Sequence, residues 1–227
     1  MKAKVEKSEI RAVRALPGTH ELVVAAALRH VAPGGRALDL GAGTGALAER
    51  LQVAGFRVTA ADAVNYFELD SEFVCLDFNQ PDYDRRLSPA FDVITSVEVI
   101  EHLENPFAFL RGIARLLSES GVAVVTTPNV DNIAGRLKFF LSGKLRPMDS
   151  NSPEHITPIH LDLFERQIVP RTGLKLVEHA VHPKGEFPLT GRRYFVPFFW
   201  LFVPLMHGPA LTGDSHIFVL KRAAGQD

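Results

Sequence analysis

The feature that most constrains the fold is a glycine loop, Asp39-Leu40-Gly41-Ala42-Gly43-Thr44-Gly45, lying between a short apolar run and a helix-forming one. Glycines there let the chain turn tightly and let a ligand approach the main chain, while a helix N-terminus favours negative groups. Such a loop works only with a strand before it and a helix after it. The flanks predict both: a strand over Arg36 to Leu40 and an amphipathic helix over Ala46 to Ala54. Apolar periodicity extends the pattern, with helices over Glu21 to Val31, Phe107 to Leu117 and Leu161 to Pro170. Further strands are expected at Arg57 to Ala61, Glu72 to Leu76, Phe91 to Ser96, Gly121 to Thr127, Leu174 to His182 and Ser215 to Arg222.

Strands alternating with helices imply right-handed βαβ crossovers and a sheet covered on both faces. The expected fold is therefore α/β: a doubly wound, Rossmann-like, mainly parallel seven-stranded sheet. Its ligands should lie beyond the carboxyl ends of the strands, where the strand order reverses. One domain over residues 1–227 is expected, with a cofactor-binding core over about 21–129 and an insertion over about 130–158. An acceptor-side region over about 159–227 would complete it, with an apolar segment at 194–206.

Composition narrows the function. Apolar residues make up 46% and charged residues 22%, which excludes a disordered or fibrous chain. With 25 Lys and Arg against 26 Asp and Glu, no overall positive field draws the chain to nucleic acid. The single cysteine, Cys75, cannot form an internal disulfide and suits a reducing compartment. The first residues lack the apolar core of a signal peptide, and no apolar stretch is long enough to span a bilayer, so a cytoplasmic location is expected.

The loop alone does not choose a cofactor. Gly41-x-Gly43-x-x-Ala46 also fits a dinucleotide fingerprint, and Asp62, closing the second strand, could take a ribose hydroxyl in either case. Several motifs in one order are more specific. Through ALDLGAGTGALAERL, then Asp62, then Asp77-Phe78, then FDVITSVEVIEHLENPFAFLRGIARLL and VVTTPN, the sequence resembles the class I S-adenosylmethionine-dependent methyltransferases. The resemblance implies that Asp39 and the backbone of Gly41, Ala42 and Gly43 hold the methionine end of S-adenosylmethionine. It places Asp62 on the ribose, Asp77 and Phe78 around the adenine, and Ser96 among the cofactor contacts.

If a helical turn starts just after Ser96, then Glu98, Glu101 and His102 stand at i, i+3 and i+4 and point to one side. Two carboxylates and an imidazole form a half-site for a hard cation, magnesium or manganese. The arrangement is similar to that of ubiquinone-pathway O-methyltransferases and of small-RNA 3′-terminal 2′-O-methyltransferases, where it binds a divalent cation. In the RNA enzymes a further histidine follows the TPN segment, and His155 and His160 are both candidates here. The other reading is structural: a Glu-His pair caps this turn in methyltransferases without a metal. His102 or His155 would then act as a general base, since an ordinary histidine accepts a proton near neutral pH.

Two stretches bear on the acceptor. Tyr194 to Met206 is a run of 13 uncharged residues after Arg192 and Arg193, too short for a spanning helix and interrupted by Pro197 and Pro204. Gly135 to Pro147 mixes Arg136, Lys138, Lys144 and Arg146 with Leu137, Phe139, Phe140 and Leu141. The first would form an acceptor pocket or lid, a homodimer contact or a surface that dips into a membrane, and the second has the composition of an interfacial segment or of an ordinary helix packed on the domain. The expected activity is O-methylation of a small-molecule, lipid-linked or glycan acceptor. Ribose methylation of RNA and an inactive cofactor-binding scaffold are the alternatives.

Overall fold

The computed structural model describes residues 15–148, 152–184, 208 and 210–223. Seven strands form one sheet: β1 Arg36–Leu40, β2 Arg57–Asp62, β3 Glu72–Cys75, β4 Phe91–Val97, β5 Leu117–Pro128, β6 Leu174–His182 and β7 Ser215–Arg222. Their order is β3-β2-β1-β4-β5-β7-β6, and only β7 runs antiparallel to its neighbours. The expected mainly parallel doubly wound sheet is present. The order reverses between β1 and β4, which pair in parallel with Asp39 opposite Thr95.

Strand alternation sends successive side chains to opposite faces and so builds two cores. Helices α1 (Thr19–Leu28) and α2 (Ala46–Val53) cover one face, where Val23, Ala27, Leu47 and Leu51 meet Ala37, Val58, Val93, Val124 and Val219. On the other face Phe109, Leu110 and Ile113 of α3 (Pro106–Leu116) meet Leu38, Leu40, Ile94, Val125 and Phe218. Asn105 starts α3 by accepting a hydrogen bond from the Ala108 amide at 2.9 Å, next to a proline already set to the helical φ.

The element bounds differ from expectation where local chemistry intervenes. Gly18, at φ +86°, turns the chain so that α1 begins at Thr19, and it ends at Leu28, well before Pro33. The predicted helix over Leu161 to Pro170 is divided into α5 (Leu161–Leu163), a π-helical turn Phe164–Ile168 and a 3-10 turn Val169–Arg171. Pro170 explains the change: it has no N–H to donate and its ring crowds the carbonyl four residues back. The insertion contains α4, Ile133–Ser142, whose first turn is capped by Asn132 Oδ1 accepting from Gly135 N at 2.8 Å. Asn132 Nδ2 also donates to Gly213 O at 3.0 Å, and Asn129 Nδ2 to Ala210 O at 2.9 Å, fastening the insertion to the chain that leads into β7. The apolar segment Tyr194 to Met206, with Arg192 and Arg193, lies outside the described residues.

Candidate active site

The glycine loop runs from β1 to α2 at the carboxyl edge of the sheet. Gly41 holds φ +82°, and a Cβ there would stand 2.3 Å from Val99 Cγ2, so both conformation and packing demand glycine. Gly43, at φ +53°, is different: a Cβ there would meet nothing within 4 Å. Protein packing does not fill the space above Gly43, which leaves room for a ligand against the main chain. Asp62 orders the loop, because its Oδ2 accepts from Gly43 N at 2.8 Å.

Asp39 lies one strand over and is fully buried. Thr95 Oγ1 donates to its Oδ1 at 2.8 Å, while Oδ2 has no partner among the described residues. Burial pushes its carboxyl up to about 7, with the nearby Asp62 charge adding to the rise. Asp77 is exposed and accepts from Gln80 Nε2 and Asn79 N, both at 3.0 Å, which hold its carboxyl below the usual range. Phe78 is buried edge-on against Tyr83, with ring centroids 5.5 Å apart, and against Phe109.

The segment after Ser96 is not the single helical turn expected. β4 continues to Val97, Glu98 takes the left-handed φ of +53°, and a 3-10 turn covers only Ile100–His102. The two carboxylates therefore take different partners, although the Glu98 charge is still felt at Glu101. Glu98 Oε1 accepts from Thr126 Oγ1 and Ser215 Oγ, both at 2.8 Å, on the face covered by α1 and α2. Glu101, fully buried, sits with His102 and His155 instead. One ligand-type atom from each of Glu101, His102 and His155 lies within 4.8 Å of the others, and Glu98 is not in this group. His160 is also elsewhere, with Nδ1 donating to Asp131 Oδ1 at 2.8 Å.

Backbone contacts fix the trio. Ile156 N and Thr157 N both donate to Glu101 O at 2.9 Å, pinning the His155 segment to the 3-10 turn. His102 Nδ1 lies 3.0 Å from Glu154 O. A carbonyl can only accept, so Nδ1 carries the proton and Nε2, 3.9 Å from Glu101 Oε1, keeps its lone pair. The His155 ring meets His102 edge to face, 4.8 Å between centroids. Burial, then the neighbouring His102, lowers its pKa and favours the neutral imidazole. Burial, reinforced by the Glu98 charge, drives the Glu101 carboxyl well above the usual range.

Buried polar atoms normally find partners, and each exception calls for a cause. Among the described residues, eight of the eleven side-chain exceptions gather at this edge, namely Asp39 Oδ2, Thr44 Oγ1, Ser96 Oγ, both Glu101 oxygens, Thr127 Oγ1, His155 Nδ1 and His216 Nε2, while Thr19 Oγ1, His20 Nδ1 and Ser71 Oγ are the other three. Thr44, Thr127 and His216 were not among the sequence-derived candidates. For His216 the signal was available, since the alternation in SHIFVLKR puts it on the inward face with Phe218 and Leu220. The donor set of Glu101, His102 and His155, with an unpartnered carboxylate and an unpartnered ring nitrogen, fits a hard divalent cation.

Comparison with known proteins identifies the family and the fold. The profile of the methyltransferase domain family matches residues 14–179. A ubiquinone biosynthesis O-methyltransferase from Xanthomonas campestris pv. campestris is 33% identical over 113 residues, 45% of this chain and 47% of that protein. The chain thus matches about half the length of that curated relative. A SAM-dependent methyltransferase from Archaeoglobus fulgidus superposes over 90% of this chain and 95% of its own, with TM-score 0.58 and 18% identity. Magnesium protoporphyrin IX methyltransferase from Synechocystis PCC 6803, solved with bound SAH, covers 90% of this chain and 82% of its own, with TM-score 0.56 and 17% identity. With the glycine loop, the strand order and the family profile in agreement, the chain belongs to the methyltransferase domain family and has the fold of the class I S-adenosylmethionine-dependent enzymes.

Proposed function

We propose that this protein transfers a methyl group from S-adenosylmethionine to an oxygen of a bulky acceptor, lipid-linked or carried on a glycan. The observation that carries the reading is the concentration of unpartnered buried polar atoms at the carboxyl edge, over the open space at Gly43. In this reading Asp39 faces the methionine ammonium and the main chain of Gly41, Ala42 and Gly43 lines the methionine end. Asp62 takes the ribose, Asp77 and Phe78 border the adenine, and Ser96 closes the wall beside β1. The likeness to a ubiquinone biosynthesis O-methyltransferase supports oxygen as the methylated atom.

The sulfonium methyl is already activated, so in-line transfer needs alignment and a reactive nucleophile. Glu101, His102 and His155 would hold a magnesium or manganese ion, which supplies Lewis acidity that makes an acceptor hydroxyl easier to ionise. In the reading without a metal, His102 Nε2 or the neutral His155 ring would instead take the hydroxyl proton, since a ring nitrogen that ligates an ion has no lone pair left to accept one. Glu98, held by two hydroxyls, shapes the turn that presents them. Support for a lipid-linked acceptor comes from α4, whose Phe139, Phe140 and Leu141 are exposed beside Arg136, Lys138 and Lys144, a composition suited to peripheral contact with a membrane.

The test is transfer of isotopically labelled methyl to cell-extract acceptors. Wild type should label an alkali-stable product with magnesium or manganese and stop with excess EDTA. Glu101→Ala should lose at least a hundredfold in turnover and keep its affinity for S-adenosylhomocysteine. Full activity in EDTA would contradict the metal, and labelled protein amines in place of an ether would contradict the oxygen acceptor.

A further inference from the structure

Residues two apart on a strand share a face, so Thr127 of β5 lies on the face of Ala123 and Val125, and His216 of β7 on that of Phe218 and Leu220. Thr127 and His216 are direct cross-strand partners, which brings their side chains together at the rim. Both are fully buried. Thr127 Oγ1 and His216 Nε2 nevertheless have no hydrogen-bond partner among the described residues.

The His216 ring is fixed on two sides. Its Nδ1 lies 3.0 Å from His179 Nε2, and its face lies over Phe218 with centroids 5.2 Å apart and planes 24° apart. Phe218 in turn stacks on Phe164 at 4.2 Å. A ring so held presents Nε2 in one direction at little further cost in ordering. Whichever of the two facing nitrogens carries the proton between His179 and His216, Nε2 is left with either a hydrogen or a lone pair to offer.

We infer that Thr127 and His216 form a hydrogen-bonding subsite that orients the methyl acceptor by an uncharged oxygen, a hydroxyl or carbonyl, next to the methylated position. The inference rests on the proposed methyl transfer and adds residues outside the Glu101–His102–His155 group. An uncharged group is specified because burial drives the His216 pKa down to about 3 and keeps the ring neutral. A neutral imidazole and a hydroxyl satisfy an oxygen as donor and acceptor, but offer no full charge to a phosphate or carboxylate.

The experiment uses the full chain and labelled S-adenosylmethionine. The acceptor that wild type labels in an extract is purified and titrated against wild type, Thr127→Val, Thr127→Ser, His216→Phe and His216→Gln. Melting temperature and S-adenosylhomocysteine affinity are measured alongside. Thr127→Val and His216→Phe should raise the acceptor KM at least tenfold, lower kcat by less, and leave cofactor affinity within twofold. Thr127→Ser, which restores the hydroxyl, should recover most of the loss. If Thr127→Val fails to fold, His216→Phe against His216→Gln decides. An unchanged KM in the folded variants overturns the subsite while leaving methyl transfer intact. Absence of any labelled product from wild type overturns the methyl-transfer reading, and the subsite with it.

Discussion

Asp39 has no solvent contact, one hydroxyl donor and one oxygen without a partner, and this is why its carboxyl is pushed up from 3.8 to about 7. Without a cationic ligand the folded state favours the protonated form. The sign follows from linkage: the contribution to stability is full below the unfolded value and is lost as pH rises through about 7. The shift from 3.8 to about 7 corresponds to about 4 kcal/mol at the upper bound. Cofactor-free wild type should therefore lose stability between about pH 4 and 7 relative to Asp39→Asn, which has nothing to ionise, and change little above that. Chemical denaturation of both proteins at several pH values checks this, and parallel pH profiles would show that Asp39 is not the group. Asp39 and Asp62 stand at the loop positions their motifs indicated, because a strand–glycine–helix junction leaves little freedom. The joint environment of Thr127 and His216 was not legible, since it depends on an antiparallel pairing between residues far apart in the chain.

Among the elements, those with a strong period were legible to within a few residues: β1, β2, α2 and α3 follow their apolar spacing. The turn after β4 was not, because Glu98 adopts φ +53° and breaks the spacing on which an i, i+3, i+4 cluster depends. The consequence is chemical, since Glu98 bonds to Thr126 and Ser215 while Glu101 meets the two histidines. Composition had marked the insertion as interfacial or as an ordinary helix, and α4 gives that composition a shape. Phe140 is 84% exposed and Leu141 66%, and the sequence from Asn132 to Met148 carries Arg136, Lys138, Lys144 and Arg146 with no acidic residue, Arg146 being paired with Asp214 at 2.9 Å. Each basic residue near an anionic leaflet contributes about 1 kcal/mol, and inserted aromatics add to it. Flotation with vesicles rich in phosphatidylglycerol should carry wild type upward at low salt and release it at high salt, while Phe139→Ser/Phe140→Ser/Leu141→Ser stays behind. If wild type ignores anionic vesicles and runs instead as a dimer that this triple substitution dissociates, α4 is a protein interface.

At the scale of the whole molecule, the fold class was legible because seven apolar runs alternate with helical ones, and the sheet places its reversal of order beside the glycine loop. Two cores on opposite faces hold the carboxyl edge rigid from both sides, so the polar groups along it are set by strand register. No helix among the described residues is long and apolar enough to cross a membrane. The central claim is that the open space at Gly43, whose amide Asp62 holds, receives S-adenosylmethionine. Titration calorimetry tests it most directly, with S-adenosylmethionine and NAD titrated into wild type, Asp62→Ala and Gly43→Val. The predicted result is one S-adenosylmethionine site in wild type and no heat from NAD. Asp62→Ala should bind about tenfold or more weakly, as expected for a lost charged hydrogen bond, and Gly43→Val should not bind. Undiminished affinity in both variants, or binding of NAD in place of S-adenosylmethionine, would contradict the assignment of the site.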